Sequence, residues 1–162
     1  MKKIVVILLT LILTMTNLGT VLADSISAPP ASQISNNPNY ASVERKYSVL
    51  SETGIRGKPT ITLTRASIGK SSSTSITISA ITESDITSLK IGGHMGVQRW
   101  INNSWSTYQT TAFWAYNTYR ATSTKTITVP SGYYYRLVVT HVASNSDGTS
   151  SKTSTTTSVL VN

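Results

Sequence analysis

Ser75-Ile76-Thr77-Ile78-Ser79-Ala80-Ile81 decides the fold class. Apolar and small polar residues alternate along it with a period of two, which sends successive side chains to opposite faces of a strand. A helix would need apolar residues recurring at three and four positions, and the stretch does not supply them. The pattern returns at Leu89, Ile91, Gly93, Met95 and Val97, with Lys90, Gly92, His94, Gly96 and Gln98 on the opposite parity. Half-apolar alternation of this kind predicts antiparallel strands with one wet face.

Working outward, Ile61 and Leu63 alternate with threonines in the same way. Gly92-Gly93, with Gly96, mark a bend or bulge within a long strand. Asn102-Asn103-Ser104, lying between Trp100-Ile101 and Trp105, reads as a hairpin turn. Further strands are expected over 105–116, 119–129, 133–143 and 151–161. Pro130-Ser131-Gly132 and Asn145-Ser146-Asp147-Gly148 supply the last two turns. About seven strands without a helix predict an all-β chain, an antiparallel two-sheet sandwich of the immunoglobulin or fibronectin III type. A small closed barrel is the alternative. Pro130 followed at four residues by Tyr134 suits a tyrosine corner, in which a phenol bonds upstream backbone. Tyr135 fits equally after a register slip of one, since that exchanges the faces.

Residues 1–23 have the layout of a secretory signal: basic Lys2-Lys3, an apolar run from Ile4 to Met15, and Val21-Leu22-Ala23 before an expected cleavage after Ala23. The run falls short of the roughly 20 residues a helix needs to cross a bilayer. The chain is therefore expected to be secreted and extracellular, with no stable membrane anchor. Cleavage would take the net charge from +8 to +6 by removing two lysines. There is no cysteine, hence no disulfide framework and no lipid attachment through one. The basic residues are scattered, which suits solubility or an anionic partner such as wall polymer, acidic glycan or membrane, and does not suggest nucleic acid. Residues 24–46, with Pro29-Pro30 and Asn36-Asn37-Pro38, lack either period and read as a disordered tail or short propeptide. The domain is expected to occupy 47–162.

Several pieces together resemble a family of small secreted Gram-positive bacterial proteins of unknown function. They are Ile78-Ser79-Ala80-Ile81-Thr82, Val97-Gln98-Arg99, Asn103-Ser104-Trp105 and Gly132-Tyr133-Tyr134-Tyr135-Arg136-Leu137, with His141 four residues on. The resemblance implies a secreted, uncharacterised immunoglobulin-like β-sandwich and brings no catalytic residue with it.

The residues themselves argue against catalysis. There are two histidines, His94 and His141, and no Gly-x-Ser-x-Gly elbow. His141 shares the parity of Leu137 and Val139 and is expected to be structural. Glu83 and Asp85 read as turn-capping groups and Asp147-Gly148 as a turn pair, so no carboxylate pair for glycoside hydrolysis stands out. Glu83/Asp85 or Asn145/Asp147 offer too few oxygens for Ca²⁺, which takes roughly six to eight. No metal or cofactor is expected.

One constellation stands above background. All three tryptophans, the single phenylalanine and six of the eight tyrosines lie between 100 and 135. Adjacent strand residues face opposite ways, so Phe113 and Trp114 cannot both be core, and Tyr133, Tyr134 and Tyr135 must divide likewise. Trp105, opening a strand, is expected in the core. The candidate binding residues are Trp100, Trp114, Tyr116 and Tyr119, with Arg99, Arg120 and Arg136 steering an anionic partner. The functional expectation is a non-enzymatic extracellular binding module for wall polymer, glycan or protein. A secreted toxin or antimicrobial protein acting on anionic membranes is the alternative, resting on Ser/Thr-rich strands that resemble β-pore segments.

Overall fold

The computed structural model describes residues 27–48 and 57–162. The signal-sequence reading lies outside the described residues. A short 3-10 turn at Ala31–Gln33 precedes seven strands: β1 (Tyr40–Lys46), β2 (Ile61–Ser72), β3 (Ser75–Ile101), β4 (Ser104–Thr128), β5 (Tyr133–Asn145), β6 (Gly148–Thr155) and β7 (Val159–Val161). Every strand pair is antiparallel.

The strands hydrogen-bond into one sheet, not two, in the order β1-β2-β3-β5-β6, with β4 beside β3 and β7 beside β5. The reason lies in β3 and β4, which are 27 and 25 residues long. β2 pairs with the first half of β3, β5 with the second, and β4 follows β3 through both. The sheet curls into a partial barrel, bringing β2 against β5, β6 and β7. Its concave side holds the core, including Ile68, Ile76, Ile78, Met95, Val97, Leu137 and Val139.

The bend in β3 can be read residue by residue. Glu83 pairs with Arg120 and Ser88 with Thr118, so β3 advances five residues while β4 advances two. An odd surplus exchanges the faces. Buried positions are accordingly even at Ile76, Ile78, Ala80 and Thr82, and odd at Ile91, Met95 and Val97. Leu89 belongs to the bulge's aftermath and is exposed, which corrects its expected place on the core parity. In β4 the matching irregularity is Asn117, at φ 53°. The expected strands 105–116 and 119–129 are thus one strand with a bulge in it.

Residues 40–46 are part of the sheet, contrary to their reading as tail. β1 pairs with β2 from Tyr40↔Gly69 to Lys46↔Leu63. Backbone ladders need no apolar run: Ala41 is buried and Val43 packs on the core, which is enough for a margin strand. The hairpin turn at Asn102-Asn103 holds both residues at positive φ, 51° and 56°, as a two-residue turn between β3 and β4 requires. The tyrosine corner is closed by Tyr135, whose hydroxyl donates to Pro130 O at 2.8 Å. Burial pushes its phenol up to about 12, against a lowering by the nearby Arg99.

Candidate functional site

Around the second half of β3, register and burial together assign the side chains to two faces. Lys90, His94 and Gln98 point away from the core, opposite Tyr116, Ala112 and Thr107 of β4. On β5 the same outward parity carries Arg136, Val138, Thr140, Val142 and Ser144. Neither set contains an aspartate or a glutamate.

The cations on this face are held over indole rings. Lys90 Nζ lies 4.0 Å from the centre of the Trp114 ring, and Arg136 lies 4.3 Å from that of Trp105. His94 meets the Trp114 ring edge-on at 5.3 Å. Arg136 Nε donates to Gln98 Oε1 at 2.8 Å. A guanidinium or ammonium attracted to a ring quadrupole loses some rotamer freedom while keeping its charge in reach of solvent. Neither Lys90 nor Arg136 is in a salt bridge among the described residues, where the two ion pairs are Arg65–Glu44 and Arg120–Glu83.

Gly92 sits opposite Trp114 at φ 142°, and a Cβ there would lie 2.0 Å from Phe113 O. Next to it, a Cβ on Gly93 would lie 2.0 Å from Thr140 O. The two glycines let β4 and β5 close on β3 from both sides, which sets the spacing between the two tryptophan–cation pairs and the strand that separates them.

The seven residues expected from sequence to form a platform are not all brought together. Trp114, Tyr116 and Arg136 share the outward face, and Tyr116 is well exposed. Trp100 is buried, packs edge-on against Trp105 and donates its Nε1 proton to Ser27 Oγ at 3.3 Å, so it braces the hairpin tip. Trp105, expected in the core, is half-buried and on the outward side, with Nε1 donating to Gln33 Oε1 at 2.6 Å. Arg99 points to the core end instead, its guanidinium over Tyr133 at 4.6 Å and Tyr108 at 5.6 Å. Arg120 is in its salt bridge with Glu83 at 3.3 Å, and Tyr119 is exposed beyond the bulge at Asn117. The expected division of aromatic neighbours does hold: Phe113 enters the core and Trp114 does not, and of Tyr133–Tyr135 only Tyr135 is fully buried.

Sequence reasoning missed Lys90, His94, Gln98 and Trp105 as members of one face. The signal was there. Counting outward from the Asn102-Asn103 turn pairs Trp100 with Trp105 and Gln98 with Thr107, and one bulge later His94 with Ala112 and Lys90 with Tyr116.

The concave side of the same strands carries a different polar group. His141 is fully buried. Its Nδ1 is 2.8 Å from Thr82 Oγ1 and its Nε2 3.1 Å from Ser154 Oγ, which in turn is 3.0 Å from Thr64 Oγ1. Thr82 Oγ1 also donates to Gly92 O at 3.0 Å, which carries the network on to the β3 backbone. Burial lowers the His141 pKa to about 4. This set ties β2, β3, β5 and β6 together without any carboxylate. Of the two acids expected to cap turns, Asp85 accepts from Thr60 N at 2.7 Å through Oδ1, whereas Glu83 lies within β3 and pairs with Arg120.

Compared with family models, curated proteins and solved structures, the chain matches none, and its site is defined by its own side chains.

Proposed function

We propose that this chain is a secreted, non-enzymatic binding module that grips an anionic extracellular polymer, a phosphodiester wall polymer or an acidic glycan, on the outward face of β3–β5. The signal-like residues 1–23 and the resemblance to secreted Gram-positive proteins favour the extracellular setting. We read the curled sheet as a sandwich-type scaffold whose outward side is free to work. The observation that carries the proposal is the pairing of Lys90 with Trp114 and Arg136 with Trp105 on strand faces that hold no acid. Both cations are presented without a carboxylate partner among the described residues, and a polyanion would provide one. Flanking hydroxyls on β5, Thr140 and Ser144, and the exposed ring of Tyr116 suit a hydrated chain more than an apolar one. Because each indole already carries a cation, the ligand meets charge first and ring second, which replaces the idea of bare aromatic shelves for sugar stacking.

The test is a binding isotherm with a phosphodiester polymer and with a uronate polysaccharide at two salt concentrations. Lys90→Ala with Arg136→Ala should weaken binding at least about tenfold, and added salt should do the same to the wild type. The control Arg65→Ala, on the ion pair with Glu44, should leave affinity in place. Equal affinity for the double variant and the wild type would end the proposal. A second reading, action on anionic membranes, has the length of β3 and β4 in its favour, since each exceeds the roughly 10 residues a strand needs to cross a bilayer. Dye release from anionic vesicles separates it from polymer binding.

A further inference from the structure

Between its two cation–indole stations β3 keeps an unbroken register with β5, from Lys90↔Ser144 to Gln98↔Arg136. Those eight residues of extended strand put the stations roughly 26 Å apart, at about 3.3 Å per residue. Each ring is also held from outside its own pair. Gln33 Oε1 accepts from Trp105 Nε1 at 2.6 Å, and the His94 ring meets Trp114 edge-on. The separation is therefore built into the fold, and it is too long for a small anion to bridge. Salt screens each cation within about 10 Å at ordinary ionic strength, so a single carboxylate or phosphate at one station does not feel the other.

The strip between the stations is laid out for a chain. Outward positions of β3 run Lys90, Gly92, His94, Gly96, Gln98, so side chains alternate with glycines. His94 stands halfway, four residues from Lys90 and four from Gln98, opposite Thr140 of β5. Among the described residues a Cβ at Gly96 would meet only Val138 O, at 3.6 Å, which leaves an open gap beside the exposed Thr110. Over this length neither β3 nor its partners, 107–116 of β4 and 136–144 of β5, contain an aspartate or a glutamate.

We propose, resting on the polymer reading above, that the two stations grip one linear polyanion lying along β3, and that their separation sets a minimum length for the ligand. A chain that reaches both stations binds the second at the high effective concentration created by the first. A chain that falls short binds at either station as an independent, weak ligand, because one exposed cation supplies little by itself. Chain length, and not charge density alone, then separates a polymer from the small anions that accompany it. Because both rings are fixed before the ligand arrives, little ordering is left to oppose the second contact.

Calorimetric titration with graded galacturonate oligomers and graded glycerol-phosphate oligomers tests it, and the two series tell a uronate from a phosphodiester ligand. Short oligomers should bind weakly, two per protein chain. Once an oligomer outreaches the stations, the stoichiometry should fall to one and affinity should rise at least about tenfold in a single step. In Lys90→Ala and in Arg136→Ala, each with unchanged circular dichroism, short oligomers should bind one per chain and the step should vanish. Affinity that climbs smoothly with length, or a step that survives either substitution, would overturn the spanning ligand and leave the polymer reading standing. Absence of binding at every length in both series would remove both.

Discussion

The two histidines of this chain sit on opposite sides of the same strands and show what each side is for. His141, on the concave side, is sealed from water and bonded at both ring nitrogens to hydroxyls. His94, on the convex side, is exposed and touches the edge of an indole. A buried polar group must find its partners within the fold, because none will come from solvent. Among the buried side-chain polar atoms described, none lacks a hydrogen-bond partner. The convex side follows the opposite rule, with Lys90 and Arg136 steered by rings and left without counter-charge among the described residues. One face is finished by folding and the other is left to be finished by a ligand.

That contrast can be broken most severely at the glycines between the faces. Gly93→Val places carbon where Thr140 O already lies, 2.0 Å away, and β5 has to leave β3. The expected outcome is loss of the cooperative thermal transition, together with loss of both faces. A variant that melts normally would mean that the strands are spaced differently from this account.

A smaller and more selective effect comes from pH. Burial holds His141 at about 4, below its ordinary 6.5, so an unfolded chain takes up a proton that the folded chain refuses. Stability from this group is complete above pH 6.5 and declines as pH falls towards 4. The loss across that window is on the order of 3 kcal/mol. Urea midpoints measured from pH 7.5 to 4 should show this slope, and His141→Asn should flatten it while lowering stability at neutral pH.

The smallest expected stability change is on the convex face. Removing Lys90 and Arg136 together should cost less than about 1 kcal/mol, because exposed cation–ring contacts contribute only fractions of that each. Affinity and stability should therefore separate there, whereas at His141 they should not.

How much of this was legible in the sequence depends on the range of the interaction. Period-two alternation at Ser75–Ile81 is a local property, and the strands followed from it. The Asn102-Asn103 turn is local too, and it was read correctly. Sheet closure is not local. Whether β3 ends near Asp85 or passes through a bulge depends on Ser84, whose hydroxyl bonds Ile86 O and lies 3.1 Å from the Ser88 hydroxyl, contacts invisible in composition. For the same reason 40–46 was misread: a margin strand borrows its order from β2 and needs little apolar character of its own. The candidate face was half legible, since Trp114, Tyr116 and Arg136 were singled out. Lys90 and His94 require the cross-strand register, as do Trp100, which shares the face of its partner Trp105 but is buried at the hairpin tip, and Arg99, which lies on the opposite face.

The most direct test is a two-dimensional NMR titration of the folded chain with a phosphodiester polymer, following indole and imidazole signals. The account predicts salt-sensitive shifts for the Trp105 and Trp114 indoles and for His94, with His141 and the Tyr135 ring unmoved. Shifts confined to other surfaces, or none at saturating polymer, would contradict it.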